Sequence, residues 1–173
     1  DLFHYVTTIK GIIKNKIGES PEKVINVTSV ELSWIEDQIK KLPDFDTILG
    51  IGGGMAIDVA KYIAWKLKKR LISIPTILSV DAFTTPAAGI RKNHDVEYLG
   101  EATPNPLIID YNVLRSAPKE LNIAGVGDLF SIHTASFDWE YANSKGKSEY
   151  PFKAEAINGC LLYTSPSPRD TLL

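Results

Sequence analysis

The sequence is poor in residues on which several classes of protein depend. Its 173 residues contain one cysteine and three histidines, which excludes an internal disulfide framework and a zinc cluster built from cysteines. Net charge is also small, because 19 Lys and Arg stand against 21 Asp and Glu, so nucleic acid is not an expected partner. No apolar run approaches the roughly 20 residues that span a bilayer. The 44% hydrophobic and 23% charged residues are instead typical of a globular domain.

The two ends of the chain differ from the rest of the sequence. The chain begins with Asp1 and shows no signal peptide over residues 1–17, so we expect a piece of a longer cytoplasmic protein. Residues 160–173, which include Ser-Pro-Ser-Pro, resemble a translated sequencing adapter. The alternative is a natural linker. In either case we leave this tail out of the fold prediction.

The order of apolar segments predicts an α/β fold with a parallel sheet. Strands are predicted at 24–27, 47–51, 71–75 and 107–110. Helices are predicted at 2–17, 28–41, 55–67, from 124 onward and at 149–158. For the helix at 28, Thr28 and Glu31 form a capping box. The expected domains are an α/β domain over 1–122, the start of a helical part over 123–159, and the tail.

A cluster of three glycines carries the strongest functional signal. Gly52, Gly53 and Gly54 lie between a predicted buried strand and a predicted helix. Glycines let a ligand approach the backbone, and a helix N-terminus favours a phosphate. The pattern differs from the usual dinucleotide fingerprint and from the P-loop. It predicts a phosphate-binding turn, with a tight structural turn as the alternative.

Further motifs follow the glycines in a fixed order. They are Asp58 with Lys61, Pro-Thr-Ile-Leu-Ser-Val-Asp-Ala-Phe-Thr-Thr-Pro at 75–86, Pro-Leu-Ile-Ile-Asp at 106–110, Ala-Pro at 117–118 and Ala-Gly-Val-Gly-Asp at 124–128. Together these motifs resemble the metal-dependent, iron-containing alcohol dehydrogenase superfamily. This superfamily includes glycerol dehydrogenase, glycerol-1-phosphate dehydrogenase and dehydroquinate synthase.

The resemblance implies a fold and a cofactor. It implies a Rossmann-like nucleotide-binding domain similar to that of dehydroquinate synthase, with its first strand missing before Asp1, followed by the start of an all-helical domain. The cofactor would be NAD or NADP, and the whole enzyme would be a homo-oligomer. The residues that would contact the cofactor are Gly52, Gly53, Gly54, Met55, Ala56, Thr76, Ser79 and Thr85.

Two carboxylates would carry the chemistry. From the pattern alone, Asp81 and Asp128 are better explained as turn or cap residues. By the resemblance, both are catalytic and substrate-binding, and Asp128 is a ligand of Zn²⁺ or Fe²⁺. The family's remaining metal ligands are histidines further downstream, and none of the three histidines here matches them. We therefore expect this chain by itself to lack turnover.

The expected reaction interconverts a small polyol, or its phosphate, and the matching ketone. The segment 134–142 resembles an Asp-Trp helix of glycerol-1-phosphate dehydrogenases, which favours sn-glycerol 1-phosphate and dihydroxyacetone phosphate. Ala82 after Asp81 is closer to glycerol dehydrogenase. The motifs also leave open a lyase like dehydroquinate synthase and a nucleotide-binding remnant without catalysis.

Overall fold

A computed structural model describes residues 21–93 and 95–155 of the chain. Four helices are present in this part: α1 (Leu32–Ile39), α2 (Gly54–Leu67), α3 (Tyr111–Ser116) and α4 (Lys119–Ser144). Four strands are present: β1 (Thr47–Gly52), β2 (Arg70–Pro75), β3 (Ala88–Lys92) and β4 (Asp95–Leu99). Within these residues no helix is both long and apolar enough to cross a membrane.

A parallel sheet forms the centre of the fold. Strands β1 and β2 pair in parallel, from Thr47 opposite Arg70 to Gly52 opposite Pro75. Leu107 extends the sheet by a single parallel bridge to Ser73 on the other side of β2. Helix α2 connects the two paired strands, as a parallel crossover requires. The predicted α/β class with a parallel sheet is therefore confirmed.

A second, two-stranded sheet lies beside α2. Strands β3 and β4 form an antiparallel hairpin in which Lys92 pairs with Asp95. Asn93 adopts a φ of 54° in the turn, a left-handed conformation that asparagine tolerates better than most residues. The backbone amide of Arg91 donates to the carbonyl of Val30 at 2.9 Å, which ties the hairpin to the segment before α1.

The main hydrophobic core lies between the hairpin and the two first helices. Its buried members are Ile35, Val59, Tyr62, Ile63, Ala88 and Ile90. A smaller cluster of Ala60, Ala64 and Leu71 joins the other side of α2 to the sheet. Helix α2 thus has apolar residues on both sides and is held by both sheets. This fixes the position of its N-terminus, where the glycines lie.

Several predicted boundaries were wrong. Residues 24–27 form no strand, and α1 begins at Leu32 after Glu31 rather than at Thr28. The hydroxyl of Ser29, not that of Thr28, accepts a hydrogen bond from the amide of Glu31 at 3.0 Å. The strand predicted at 107–110 is reduced to one bridge, because Asp110 already caps α3.

The C-terminal part is helical but divided differently from the prediction. Helix α4 begins at Lys119, not near 124, so the predicted domain boundary at 122 falls inside it. Residues 149–153 are not helical, contrary to the helix predicted from 149, whereas residues 154 and 155 are helical. The helix predicted at 2–17, the end of the one predicted at 149–158 and the tail at 160–173 lie outside the described residues. The all-helical domain and the domain division stay predictions.

Candidate functional site

The three glycines lie where β1 ends and α2 begins. Gly52 closes the strand with a φ of 147°, a backbone conformation that other residues rarely adopt. Gly53 is the N-cap of α2 and, because it has no side chain, leaves the first amides of the helix without a side-chain cap. The first amides of a helix have no acceptor within the helix, and they carry part of the positive end of its dipole. The turn therefore offers donors and positive potential to an anion.

The loop at 76–80 follows β2 and packs directly against the glycine turn. The amide of Thr76 donates to the carbonyl of Gly52 at 3.0 Å. A Cβ on Gly53 would lie 2.5 Å from Cδ1 of Ile77, and a Cβ on Gly54 would lie 2.8 Å from Cγ2 of Val80. The glycines thus make room for this loop; whether they also clear space for a ligand stays a prediction.

The other predicted cofactor residues surround this turn in different environments. Met55 lies in the first turn of α2 with 49% of its surface exposed, while Ala56 is partly buried and Ser79 lies in the 76–80 loop. Thr76 is buried, at 5% exposure. The hydroxyl of Thr85 is used within the protein, because it accepts a hydrogen bond from Nζ of Lys61 at 3.3 Å. Contact of these residues with a cofactor stays a prediction.

A buried ion pair supports the segment that follows the loop. Nζ of Lys61 lies 2.8 Å from Oδ1 of Asp58, and the lysine side chain is only 1% exposed. The same ammonium donates to the carbonyls of Thr85 and Ala87. Burial raises the pKa of Asp58, and the charge of Lys61 together with a hydrogen bond from the backbone of Gly89 opposes this rise. Lys61 therefore joins α2 to the 85–87 segment.

The two predicted catalytic carboxylates lie on different elements and interact through their charges. Asp81 is half-buried after the 76–80 loop, whereas Asp128 is exposed on α4. Burial raises the pKa of Asp81, and the negative charge of Asp128 raises it further. Their assigned roles stay predictions.

The described residues do not complete a metal site. Among them, no group of three or more histidine, cysteine, aspartate or glutamate side chains is gathered to hold a metal ion. His133 is exposed on α4, as expected for an ordinary helix residue, and His94 lies outside the described part. Asp128, the predicted metal ligand, would need further ligands to complete a site, and its role stays a prediction.

One residue absent from the sequence prediction joins α4 to this site. The side chain of Asn122 accepts a hydrogen bond from the amide of Leu78 at 3.0 Å and donates to the carbonyl of Leu114 at 2.8 Å. The sequence motif that contains Lys61 likewise predicts no role for that ammonium. The bond between Asn122 and Leu78 spans 44 positions and leaves no local sequence signal. For Lys61, only the pairing with Asp58 is local.

The comparisons with known proteins agree on a family. The model of the iron-containing alcohol dehydrogenase family matches residues 4–118. The glycerol-1-phosphate dehydrogenase [NAD(P)+] of Sulfurisphaera tokodaii is 37% identical over 149 residues, covering 82% of this chain and 42% of that protein. The corresponding protein of Metallosphaera sedula is 42% identical over 138 residues, covering 79% of this chain and 38% of that protein.

Two solved structures have a similar fold. The glycerol dehydrogenase of Schizosaccharomyces pombe is 28% identical, with a TM-score of 0.62, over 79% of this chain and 37% of that one. An iron-containing alcohol dehydrogenase, 19% identical with a TM-score of 0.54 over 68% of this chain and 37% of that one, shares the fold. This chain spans about two fifths of the length of the curated relatives.

Proposed function

Because this chain belongs to the iron-containing alcohol dehydrogenase family, we propose that it forms the nucleotide-binding part of an NAD(P)-dependent dehydrogenase. The observation that carries the proposal is the glycine turn at the start of α2, with its uncapped helix N-terminus. A pyrophosphate suits such a site because backbone amides and the helix dipole both favour an anion. The carboxyl ends of β1 and β2 border the same place, where open α/β sheets bind their ligands.

The best candidate substrate pair is sn-glycerol 1-phosphate and dihydroxyacetone phosphate. The names of the two curated relatives support a phosphorylated polyol. The alternative is glycerol itself, which is supported by the similarity to the S. pombe glycerol dehydrogenase. Beyond superfamily membership, no observation favours a lyase. The cytoplasmic location and the homo-oligomer also remain proposals for the whole protein.

Two carboxylates would serve the substrate end of the site. Asp81 would accept a hydrogen bond from a hydroxyl of the polyol, and Asp128 would contribute to a Zn²⁺ or Fe²⁺ site. A bound metal ion would supply Lewis acidity toward the alcohol oxygen. The described residues provide too few ligands for that ion, so the steps assigned to this chain are nucleotide binding and substrate positioning.

Met55 offers a direct test of nucleotide binding. Its side chain is exposed in the first turn of α2. In Met55→Glu, the new carboxylate should interact favourably with the helix dipole but should repel a pyrophosphate. We expect affinity for NADH or NADPH to fall about ten-fold or more without a loss of stability, and Met55→Lys to strengthen binding. Isothermal titration calorimetry measures both.

The matched control is Asn112→Asp, which adds an acid to the first turn of α3 at an exposed position. It should leave nucleotide affinity unchanged. If wild type binds neither nucleotide, or if both Met55 variants bind as wild type does, nucleotide binding at the glycine turn is refuted.

Product formation tests whether this chain has turnover, which we do not expect, and which substrate it uses if it does. The chain is supplied with NADH, Zn²⁺ or Fe²⁺, and either dihydroxyacetone phosphate or dihydroxyacetone, and the absorbance of NADH is followed. Faster NADH consumption with the phosphate supports glycerol-1-phosphate dehydrogenase, and the reverse supports glycerol dehydrogenase. A nucleotide-binding part without turnover should bind NADH and consume none.

A further inference from the structure

Two residues of α4, one turn apart, contact the 76–80 loop. Asn122 accepts a hydrogen bond from the amide of Leu78 and donates to the carbonyl of Leu114 near the end of α3. One side chain thereby joins three segments: the loop, α3 and α4. Its bond to Leu78 spans 44 positions of sequence, so it is a tertiary contact rather than a local cap.

Gly125 brings the helix backbone against the same loop residue. A Cβ on Gly125 would lie 1.8 Å from the carbonyl oxygen of Leu78, so only glycine allows this approach. Gly127, two residues later, has no atom within 4 Å of an added Cβ. The side of α4 that carries Asn122 and Gly125 therefore faces the loop, whereas the position of Gly127 is open. Both polar backbone groups of Leu78 face this side.

The same contact joins the two segments that carry the carboxylates. Asp81 follows Leu78 by three residues, and Asp128 follows Gly125 by three residues in a continuous helix. A rigid helix transmits a displacement at Gly125 to Asp128. A movement of the loop relative to α4 would therefore change the distance between Asp81 and Asp128.

We propose that Asn122 is a positioning residue that couples the nucleotide site to Asp128: by holding Leu78 against α4, it lets nucleotide binding at the 76–80 loop fix the place of the helix. This inference rests on the proposed nucleotide site. Ligand binding that orders the loop must, through this bond, also order the first turns of α4. Without the bond, the loop and the helix should respond to a nucleotide independently.

Hydrogen–deuterium exchange with and without saturating NADH or NADPH tests this coupling. In wild type, nucleotide should slow exchange in the loop and in residues 119–130 of α4, the latter by about five-fold or more. In Asn122→Ala, the glycine turn should still be protected while the protection of α4 falls below about two-fold. The substitution itself favours a helix, so loss of α4 is not its expected direct effect.

Two further variants make the test specific. Asn112→Ala changes an exposed asparagine of α3 and should respond to nucleotide as wild type does. Gly125→Ala separates the helix from Leu78 by a second route and should also uncouple α4. If Asn122→Ala binds nucleotide and α4 remains protected, the proposal is overturned. If wild type binds no nucleotide, the proposed function fails first and this inference fails with it.

Discussion

The buried ion pair between Lys61 and Asp58 gives the sharpest prediction about stability. In Lys61→Met, the carboxylate of Asp58 loses an ammonium at 2.8 Å and stays mostly covered, since its side chain is only 18% exposed. The carbonyls of Thr85 and Ala87 lose their donor as well. Removing one partner of a buried pair typically costs about 3–5 kcal/mol. A domain of this size has only about 5–15 kcal/mol in total.

Urea unfolding followed by circular dichroism measures this loss. The double variant Asp58→Asn with Lys61→Met removes both charges, so it should cost less than the sum of the two single changes, by about 0.5–3 kcal/mol. Lys40→Met is the matched control, because Lys40 and Asp37 form an exposed pair at the same spacing, and it should change nothing measurable. The reasoning is refuted if Lys61→Met loses less than about 1 kcal/mol or if the two changes are additive.

The pH dependence of the same variant is a second signature of an uncompensated charge. Because Lys61 lowers the pKa of Asp58 against the effect of burial, its removal should raise that pKa further. Asp58 would then take up a proton in the folded state as the pH falls. The deficit of Lys61→Met relative to wild type should therefore shrink toward low pH. A deficit that is independent of pH would indicate lost packing instead.

The remaining predictions concern the glycines and carboxylates of the site. Gly127→Ala should raise the free energy of unfolding by up to about 1 kcal/mol, because the site is open and alanine favours a helix; Gly125→Ala should lower it, because Leu78 obstructs the new methyl, and paired urea unfolding curves compare the two. Asp128→Asn should lower the pKa of Asp81, since the charge of Asp128 raises it; carboxyl carbon NMR titration shows whether it does. The raised pKa of Asp81 means that the folded state holds its proton more tightly than the unfolded state, so stability falls as pH rises from the ordinary value of 3.8 through the folded pKa. Asp81→Asn should therefore make the free energy of unfolding depend less on pH in this range. Urea unfolding curves collected on both sides of the range measure this.

Local signals were enough to predict the central unit of the fold. The run from Thr47 to Ile51 is largely apolar, the glycines mark its end, and a helical pattern follows. Each feature acts within a few residues, so periodicity and glycine spacing suffice to find it. Strands β1 and β2 and helix α2 differ from their predicted bounds by no more than a single residue at each end.

The hairpin of β3 and β4 was missed for the opposite reason. Its outer strand exposes Val96 and Tyr98, while Arg91 and Lys92 interrupt the apolar pattern of the inner strand. Only Ala88 and Ile90 are buried, and they are buried by α1 and α2. The hairpin is therefore stabilised by tertiary packing, which a window of a few residues does not contain.

The segment before α1 shows how a distant contact overrides a local preference. Thr28 and Glu31 match a capping box, yet Glu31 instead bridges to Arg91 of the hairpin. With that bridge in place, the chain stays extended through Glu31, and the helix starts at the next residue. The Thr28 and Glu31 pattern is a genuine helix-start signal, but the bridge between Glu31 and Arg91 decided where α1 begins.

The site residues also differ in whether a local sequence signal predicts their role or a distant contact determines it. Glycines, Asp81 and Asp128 can be found in the sequence because their residue types carry the chemistry. Asn122 bonds to Leu78, 44 positions away. Lys61 pairs locally with Asp58, but its bonds to Thr85 and Ala87 span 24 and 26 positions, and an asparagine or lysine in a helix ordinarily faces water. Each of these two residues uses a polar side chain to hold a loop, and neither bond to a loop is needed for the residue's own helix. Asn122 holds the loop that leads from Leu78 to Asp81, and Lys61 holds the segment that contains Thr85. The substitutions above therefore test the geometry of the site separately from its chemistry.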